Sequence, residues 1–219
     1  QADQIAAAGF NTVTFSVDGT REPHDRLRGV AGALERLLEG ARALSSRGVR
    51  VAAATQINRE NQHRLSSIHD LLVAEGFAGW QLQLTMAHKR VRDAPSLCVD
   101  PSDLPALEAQ LCSLLTSSLL HLQIADNIGY MSRHEPRLRS PSGPATHFWR
   151  GCSAGLVVIG IRSNGDVAGC LSLPDDFVAG NVRERPLAEI WNDDGSFAYS
   201  RRFDVGLLAG GCADCAFGR

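Results

Sequence analysis

The 219-residue sequence lacks an excess of charge of either sign: 22 basic and 24 acidic residues leave a formal net charge of -2. No global positive field exists to hold nucleic acid or an anionic membrane surface, so any partner is recognised locally. Aromatic residues make up only 6%, and no apolar run approaches the roughly 20 residues that span a bilayer. Positions 1–9 carry neither the basic nor the apolar region of a signal peptide, and a cytoplasmic, reducing compartment is the expectation. There is no low-complexity tract and no repeat at solenoid spacing. What is present, 44% hydrophobic and 21% charged residues, is the balance of a soluble globular protein. The length suffices for one large or two small cores without disulfides, so the six cysteines need another explanation. In a reducing setting, closely spaced cysteines bind metals or carry redox chemistry.

The first part of the chain alternates strand and helix signals. TVTFSV at 12–17, VRVAAATQI at 49–57 and WQLQLT at 80–85 are rich in β-branched or alternating apolar residues and predict strands. Leu34, Leu37, Leu38, Ala41 and Leu44 share one helical face closed by Gly48, and Asn61 is placed to cap a helix carrying Leu65, Ile68 and Leu72. Ser102 is placed to cap a long apolar helix to about Leu122, with a charged loop expected after the first strand. Such strand-helix units imply a parallel sheet with helical crossovers. Character changes near Pro141, where PSGP reads as a linker, giving expected domains 1–140 and 141–219. The second contains a predicted hairpin over 155–173, turning at Asn164-Gly165, and a short helix opened by Pro186 that carries Leu187, Ile190 and Trp191.

Cysteines carry the chemical signal. Cys152 precedes the hairpin and Cys170 lies in its second arm, so the turn brings two thiolates near one another. Cys212-Ala213-Asp214-Cys215 is a Cys-x-x-Cys knuckle able to grip one tetrahedral iron or zinc. Cys112, among Leu111, Leu114 and Leu115, reads as core packing, and Cys98 has no neighbour at ligand spacing.

Taken with Gly165, the Gly180-Asn181 turn, the LAEIW helix, and Phe197 followed by Arg201-Arg202, these spacings resemble the SPASM domain that follows radical S-adenosylmethionine (radical SAM) barrels. The first part independently resembles such a barrel through Ser16-x-Asp18-Gly19, His24-Asp25 and Arg28 in order. The resemblance implies an α/β fold, the C-terminal half of a partial (β/α)6 barrel followed by a small iron-sulfur domain with a β-hairpin. It implies 4Fe-4S clusters and S-adenosylmethionine as cofactors, with Cys152, Cys170, Cys212 and Cys215 as auxiliary-cluster ligands. Ser16, Asp18 and Arg28 become the cofactor-binding residues, Arg28 through the carboxylate of S-adenosylmethionine, because an Arg fork holds a carboxylate by two hydrogen bonds. The family reductively cleaves S-adenosylmethionine and removes a hydrogen atom from a substrate, here expected to be a peptide or protein, with an electron donor such as flavodoxin or ferredoxin. The defining Cys-x3-Cys-x2-Cys does not occur in the 219 residues, and the SPASM pattern would place a further Cys beyond Arg219. A fragment of a longer enzyme, inactive by itself, is therefore expected.

Other classes remain beside it. A non-enzymatic module could hold one zinc with the same four cysteines, although seventeen residues between Cys152 and Cys170 are not the short knuckle of a zinc ribbon. Nucleic-acid binding rests only on the local patch Arg133, Arg137 and Arg139, read as a solvated or substrate-facing loop, so neither a nucleic acid nor a membrane is an expected partner. His24 and Asp25 read as loop-stabilising, and Tyr130, Glu135 and His147 as polarity near the domain junction. No catalytic acid or base is assigned, since that choice depends on substrate pose.

Overall fold

The computed structural model describes residues 1–86, 94–125, 128–129, 132–139 and 152–215, and it divides the chain into two units, Gln1–Trp149 and Arg150–Arg219. In the first unit, α1 (Ala2–Ala7) leads into β1 (Thr12–Ser16), α2 (Arg21–Arg28) and α3 (Ala33–Ser45), followed by β2 (Arg50–Ile57), α4 (Leu65–Ala74) and β3 (Gly79–Leu84). After them come α5 (Leu104–Ser117), β4 (His121–Ile124) and α6 (Glu135–Arg139). The strands form one parallel sheet in the order β1-β2-β3-β4.

Alternation along the strands decides which face is covered. Val51, Ala53, Ile57, Trp80, Leu82, Leu122 and Ile124 are buried in one cluster with Leu34, Leu38 and Leu44 of α3, Leu65, Ile68 and Leu72 of α4, and Leu107 and Leu111 of α5. Each such leucine or isoleucine contributes about 1.5–3 kcal/mol by leaving water. Residues of the opposite alternation are polar or small: Ser16, Ala54, Gln81 and Gln123 stand in register across all four strands, and Ser16 and Gln123 are exposed. Parallel sheets are ordinarily covered on both faces, whereas here the described helices pack their apolar residues against one. A buried polar chain ties β1, β2 and β3 together: Trp80 Nε1 donates to Thr55 Oγ1 at 2.8 Å, and Thr55 Oγ1 donates to the Val17 carbonyl.

Four expectations are corrected. The charged segment after β1 is helical over Arg21–Arg28, ending at Gly29 with φ of 67°. Asn61 does not cap α4; its amide accepts from Asn58 N at 2.8 Å and donates to the carbonyls of Asp18 (2.9 Å) and Gln56 (3.0 Å), tying two strand ends together. Ser102 lies inside a single 3-10 turn capped by Asp100, so α5 starts at Leu104. That helix stops at Ser117 rather than near Leu122, and His121–Ile124 joins the sheet as a fourth parallel strand. The apolar run across 119–122 hides this break, which is made where Ser118 Oγ accepts from Leu120 N at 3.0 Å.

The second unit contains β5 (Gly160–Ile161), β6 (Asp166–Ala168) and β7 (Gly180–Asn181) in one antiparallel sheet, then α7 (Leu187–Asn192) and α8 (Ala198–Arg201). The hairpin is shorter than its sequence suggests, because 156–158 fold into a turn whose three amides all donate to the Ser153 carbonyl. Its own turn closes with Gly165 N donating to Arg162 O and Arg162 N donating to Asp166 O. Only Gly165 of that turn has positive φ, at 95°, so this is a type I turn with a glycine bulge rather than the two-residue I′ form. Ile190 and Phe197 bury against Val167 to make the small core.

Candidate functional site

In the first unit, Ser16 ends β1 on the face the helices leave uncovered, and the buried Asp18 follows it. Arg28, at the end of α2, forms an ion pair with Asp18 Oδ2, and the other carboxylate oxygen accepts from Gln56 N at 2.9 Å. The Asp18 carboxylate is therefore engaged by its own chain. Arg28 keeps a 38% exposed side chain beside it. The His24 Nδ1 accepts from Asp18 N at 3.2 Å; burial, with the Arg28 charge second, lowers the His24 pKa and keeps the imidazole neutral. Asp25 accepts from Gly32 N (2.6 Å) and Leu34 N (2.9 Å) at the start of α3, bonds that lower its pKa, with the Leu34 bond leading. The structure thus brings Asp18 and Arg28 together directly, with Ser16 two residues before Asp18 on the chain.

In the second unit, Ala154 N donates to Cys152 Sγ at 3.4 Å and Ser172 N donates to Cys170 Sγ at 3.4 Å. Both cysteines are held as sulfur acceptors by the amide two residues ahead, an arrangement that suits thiolates carrying negative charge. The two loops touch: a Cβ built on Gly169 would lie 2.6 Å from Gly155 N and 2.8 Å from Ala154 C, so only glycine fits there. Cys212 and Cys215 sit on an exposed turn closed by Cys215 N donating to Cys212 O at 3.3 Å. Among the described residues no group of three or more His, Cys, Asp or Glu is gathered as metal ligands. Cys152 and Cys170 thus lie in adjoining loops, and Cys212 and Cys215 share one exposed turn. Soft thiolate pairs with backbone donors fit an iron-sulfur group, whose sulfurs take such hydrogen bonds.

Two residues of this site carry no signal at ligand spacing. Tyr199, on α8, accepts from Gly169 N at 3.2 Å and stacks edge-on against Phe177 at 5.0 Å. Burial, followed by the charges of Cys152 and Cys170, raises its pKa against the opposing bond from Gly169. Arg201 donates to the carbonyls of Gly155 (2.8 Å) and Trp191 (2.6 Å) and lies over both the Trp191 and Phe197 rings. Phe197 itself adopts φ of 58°, the one non-glycine residue in the left-handed region among those described. The Phe and Arg of the sequence motif thus hold the Cys152 loop in place.

The basic patch divides, with Arg133 and Arg137 exposed and Arg139 held inward. Arg139 donates to the carbonyls of Ala125 and Ile128 and pairs with Glu135, which is fully buried, and Arg137 donates to Thr116. The expected loop at 133–139 is instead partly α6, and its solvated character holds for Arg133 and Arg137 while Arg139 is stapled to its own chain. The expected PSGP linker at Pro141, Tyr130 and His147 lie outside the described residues, and no helix among those described is long and apolar enough to cross a membrane.

A parallel α/β unit followed by a small cysteine-bearing β unit defines a class, and residues 152–216 match the SPASM family, an iron-sulfur cluster-binding domain. The chain is similar to radical SAM enzymes, and the iron-sulfur domain with this likeness supports iron-sulfur clusters and S-adenosylmethionine as cofactors. It is 27% identical over 241 residues to a pre-heme d1 synthase of Dinoroseobacter shibae, covering 99% of the chain and 57% of that protein. It is 27% identical over 204 residues to a PqqA peptide cyclase of Xanthomonas euvesicatoria pv. vesicatoria, covering 91% and 52%. The fold is that of Streptococcus suis SuiB, in structures bound to S-adenosylmethionine and to precursor peptide SuiA, with TM-scores of 0.71 and 0.68 and identities of 17% and 15%. Those alignments cover 99% of this chain and 50% and 49% of the SuiB chains. The chain spans about half the length of the curated relatives it matches.

Proposed function

We propose that this chain is the S-adenosylmethionine-facing sheet and the auxiliary-cluster unit of a radical SAM enzyme that modifies a peptide or protein substrate. The observation that carries the reading is the pairing, within one chain, of a parallel sheet with Ser16 and Arg28 at its carboxyl end and a downstream unit whose two loops each present an amide-supported cysteine sulfur. When bound, the cofactors supply the electron and the hydrogen-abstracting group. The residues of this chain bind and orient. Cys152 and Cys170 hold one auxiliary cluster, Cys212 and Cys215 contribute two thiolates to the auxiliary sites, and Ser16 and Arg28 position the amino-acid end of S-adenosylmethionine, with Asp18 fixing the Arg28 guanidinium rather than touching the cofactor. Ligands lie outside the carboxyl ends of strands in open and closed parallel sheets alike, which is where this group sits. A reducing compartment and a small electron-transfer donor such as flavodoxin or ferredoxin complete the proposal.

A peptide substrate is supported by the likeness to PqqA peptide cyclase and by SuiB structures that contain a precursor peptide. A tetrapyrrole substrate is the second reading, favoured by the likeness to pre-heme d1 synthase and to AdoMet-dependent heme synthases across 99% of the chain. Anaerobic reconstitution of the full-length protein with iron and sulfide tests both. Acid-labile sulfide together with S-adenosylmethionine cleavage under reductant is the expected result, and stoichiometric zinc in a colourless protein would remove the enzyme reading. Binding of S-adenosylmethionine probes the first unit separately: Arg28→Ala should weaken it at least several-fold while leaving auxiliary iron intact, and unchanged affinity takes Arg28 out of the site. Tight, saturable binding of a porphyrin by the reconstituted protein, with no turnover of candidate peptides, would select the tetrapyrrole reading.

A further inference from the structure

We propose that Tyr199 is a positioning residue of the auxiliary centre, directing its phenol proton at the iron-sulfur group held by Cys152 and Cys170 and so raising that group's reduction potential. The inference rests on the assignment of those two cysteines as cluster ligands under the proposed function.

The argument begins at Gly169. Its amide donates to Tyr199 Oη at 3.2 Å, and an ideal Cβ at this position would lie 2.2 Å from that oxygen as well as against the Ala154-Gly155 backbone. Tyr199 Oη therefore sits in the seam between two loops, one leading into Cys170 and the other containing the Ala154 amide that supports Cys152 Sγ. The ring is set there from the outside by its edge-on packing with Phe177. Among the described residues, the hydrogen bond from Gly169 is the only one the hydroxyl makes, and it uses the oxygen as acceptor. A phenol is both donor and acceptor, so the proton remains available. Among the described residues no hydrogen bond joins the hydroxyl to either cysteine sulfur, and under the proposal its proton goes to the iron-sulfur group that Cys152 and Cys170 would hold. An iron-sulfur group gains negative charge on its sulfurs when reduced, and an O–H donor aimed at them stabilises the reduced form.

The test uses the full-length protein reconstituted anaerobically with iron and sulfide, reading the auxiliary signal that Cys152→Ser abolishes. Iron and sulfide content is measured first, then the midpoint potential by electron paramagnetic resonance during a reductive titration. Tyr199→Phe keeps the ring and its packing and is expected to retain the cluster with a lower midpoint potential. Suppression of an amber codon at position 199 places 3-fluorotyrosine there alone. This stronger donor is expected to move the potential upward, which a purely packing role does not do. Intact clusters with the same potential in Tyr199→Phe and the unsubstituted protein would overturn the proposal while leaving the cluster assignment standing. Loss of the cluster in Tyr199→Phe, combined with no shift on fluorination, would also overturn it by assigning Tyr199 to packing. An unsubstituted protein that takes up neither iron nor sulfide would remove the assignment of Cys152 and Cys170 and this inference with it.

Discussion

Arg201 shows how a single side chain can hold the Cys152 loop from outside it. Its fork ties the carbonyl of Gly155, just after Cys152, to that of Trp191, and its flat face covers Trp191 and Phe197 at 4.5 and 4.8 Å. Lysine reproduces the charge but neither the two-directional fork nor the stacking. Arg201→Lys is expected to destabilise the second unit by about 1–3 kcal/mol, read as a lower denaturation midpoint. His24 sets a different dependence. Its folded-state pKa is lowered, chiefly by burial, so the unfolded chain binds more protons than the folded one below the ordinary histidine value of about 6.5. Stability is therefore full above that value and falls as pH drops through it toward the lowered folded pKa. His24→Asn retains an acceptor for Asp18 N and removes the titration, so its urea midpoint should vary less with pH across that interval than the parent's.

At the scale of elements, the second unit depends on a turn more than on strand length. Its strands are two, three and two residues long, too few to persist by ladder hydrogen bonds alone. Asn181 supplies the missing ties, donating to Asn164 O at 3.2 Å and Asp166 Oδ1 at 3.0 Å and accepting from Arg183 N at 2.8 Å. The turn it embraces needs Gly165, whose positive φ and lack of a Cβ admit Asn181 Oδ1 to within 2.5 Å of where that Cβ would be. Gly165→Ala is expected to cost about 1–2 kcal/mol from the left-handed backbone, and more where Asn181 is displaced. The measurable consequence is faster amide exchange of the residues in β6, the strand that leads to Cys170.

For the whole molecule, the two units carry different chemistry on different kinds of support. The first is a large apolar cluster under a sheet and is stable through burial; the second has a small core around Val167, Ile190 and Phe197 and exposes Cys212 and Cys215. A ligand bound only by the folded state stabilises what it touches, so loading iron and sulfide should act on one unit and not the other. Hydrogen-exchange mass spectrometry of the reconstituted against the metal-free protein is expected to show slower exchange across 152–215 and little change in the sheet over 12–124. Equal slowing in both units would contradict that division.

Local chemistry in the sequence determined the strands at 12, 50 and 79 and the glycine ends of the helices, and it singled out four cysteines in the stretch that matches an iron-sulfur domain, because alternation, left-handed glycine and ligand spacing are properties of neighbours along the chain. The fourth strand escaped it, since the apolar residues at 119–122 continue the pattern of α5 and only pairing with β3 shows where the helix ends. Ser16, Asp18 and Arg28 were legible as a group, but not that Asp18 holds Arg28, which follows from α2 folding back over the end of β1. Tyr199 was not legible, and Arg201 was visible as part of the motif but not in its role. Their partners Gly169 and Gly155 lie thirty and forty-six residues away, and burial, ring contact and the space left by a missing Cβ exist only once the chain has closed on itself.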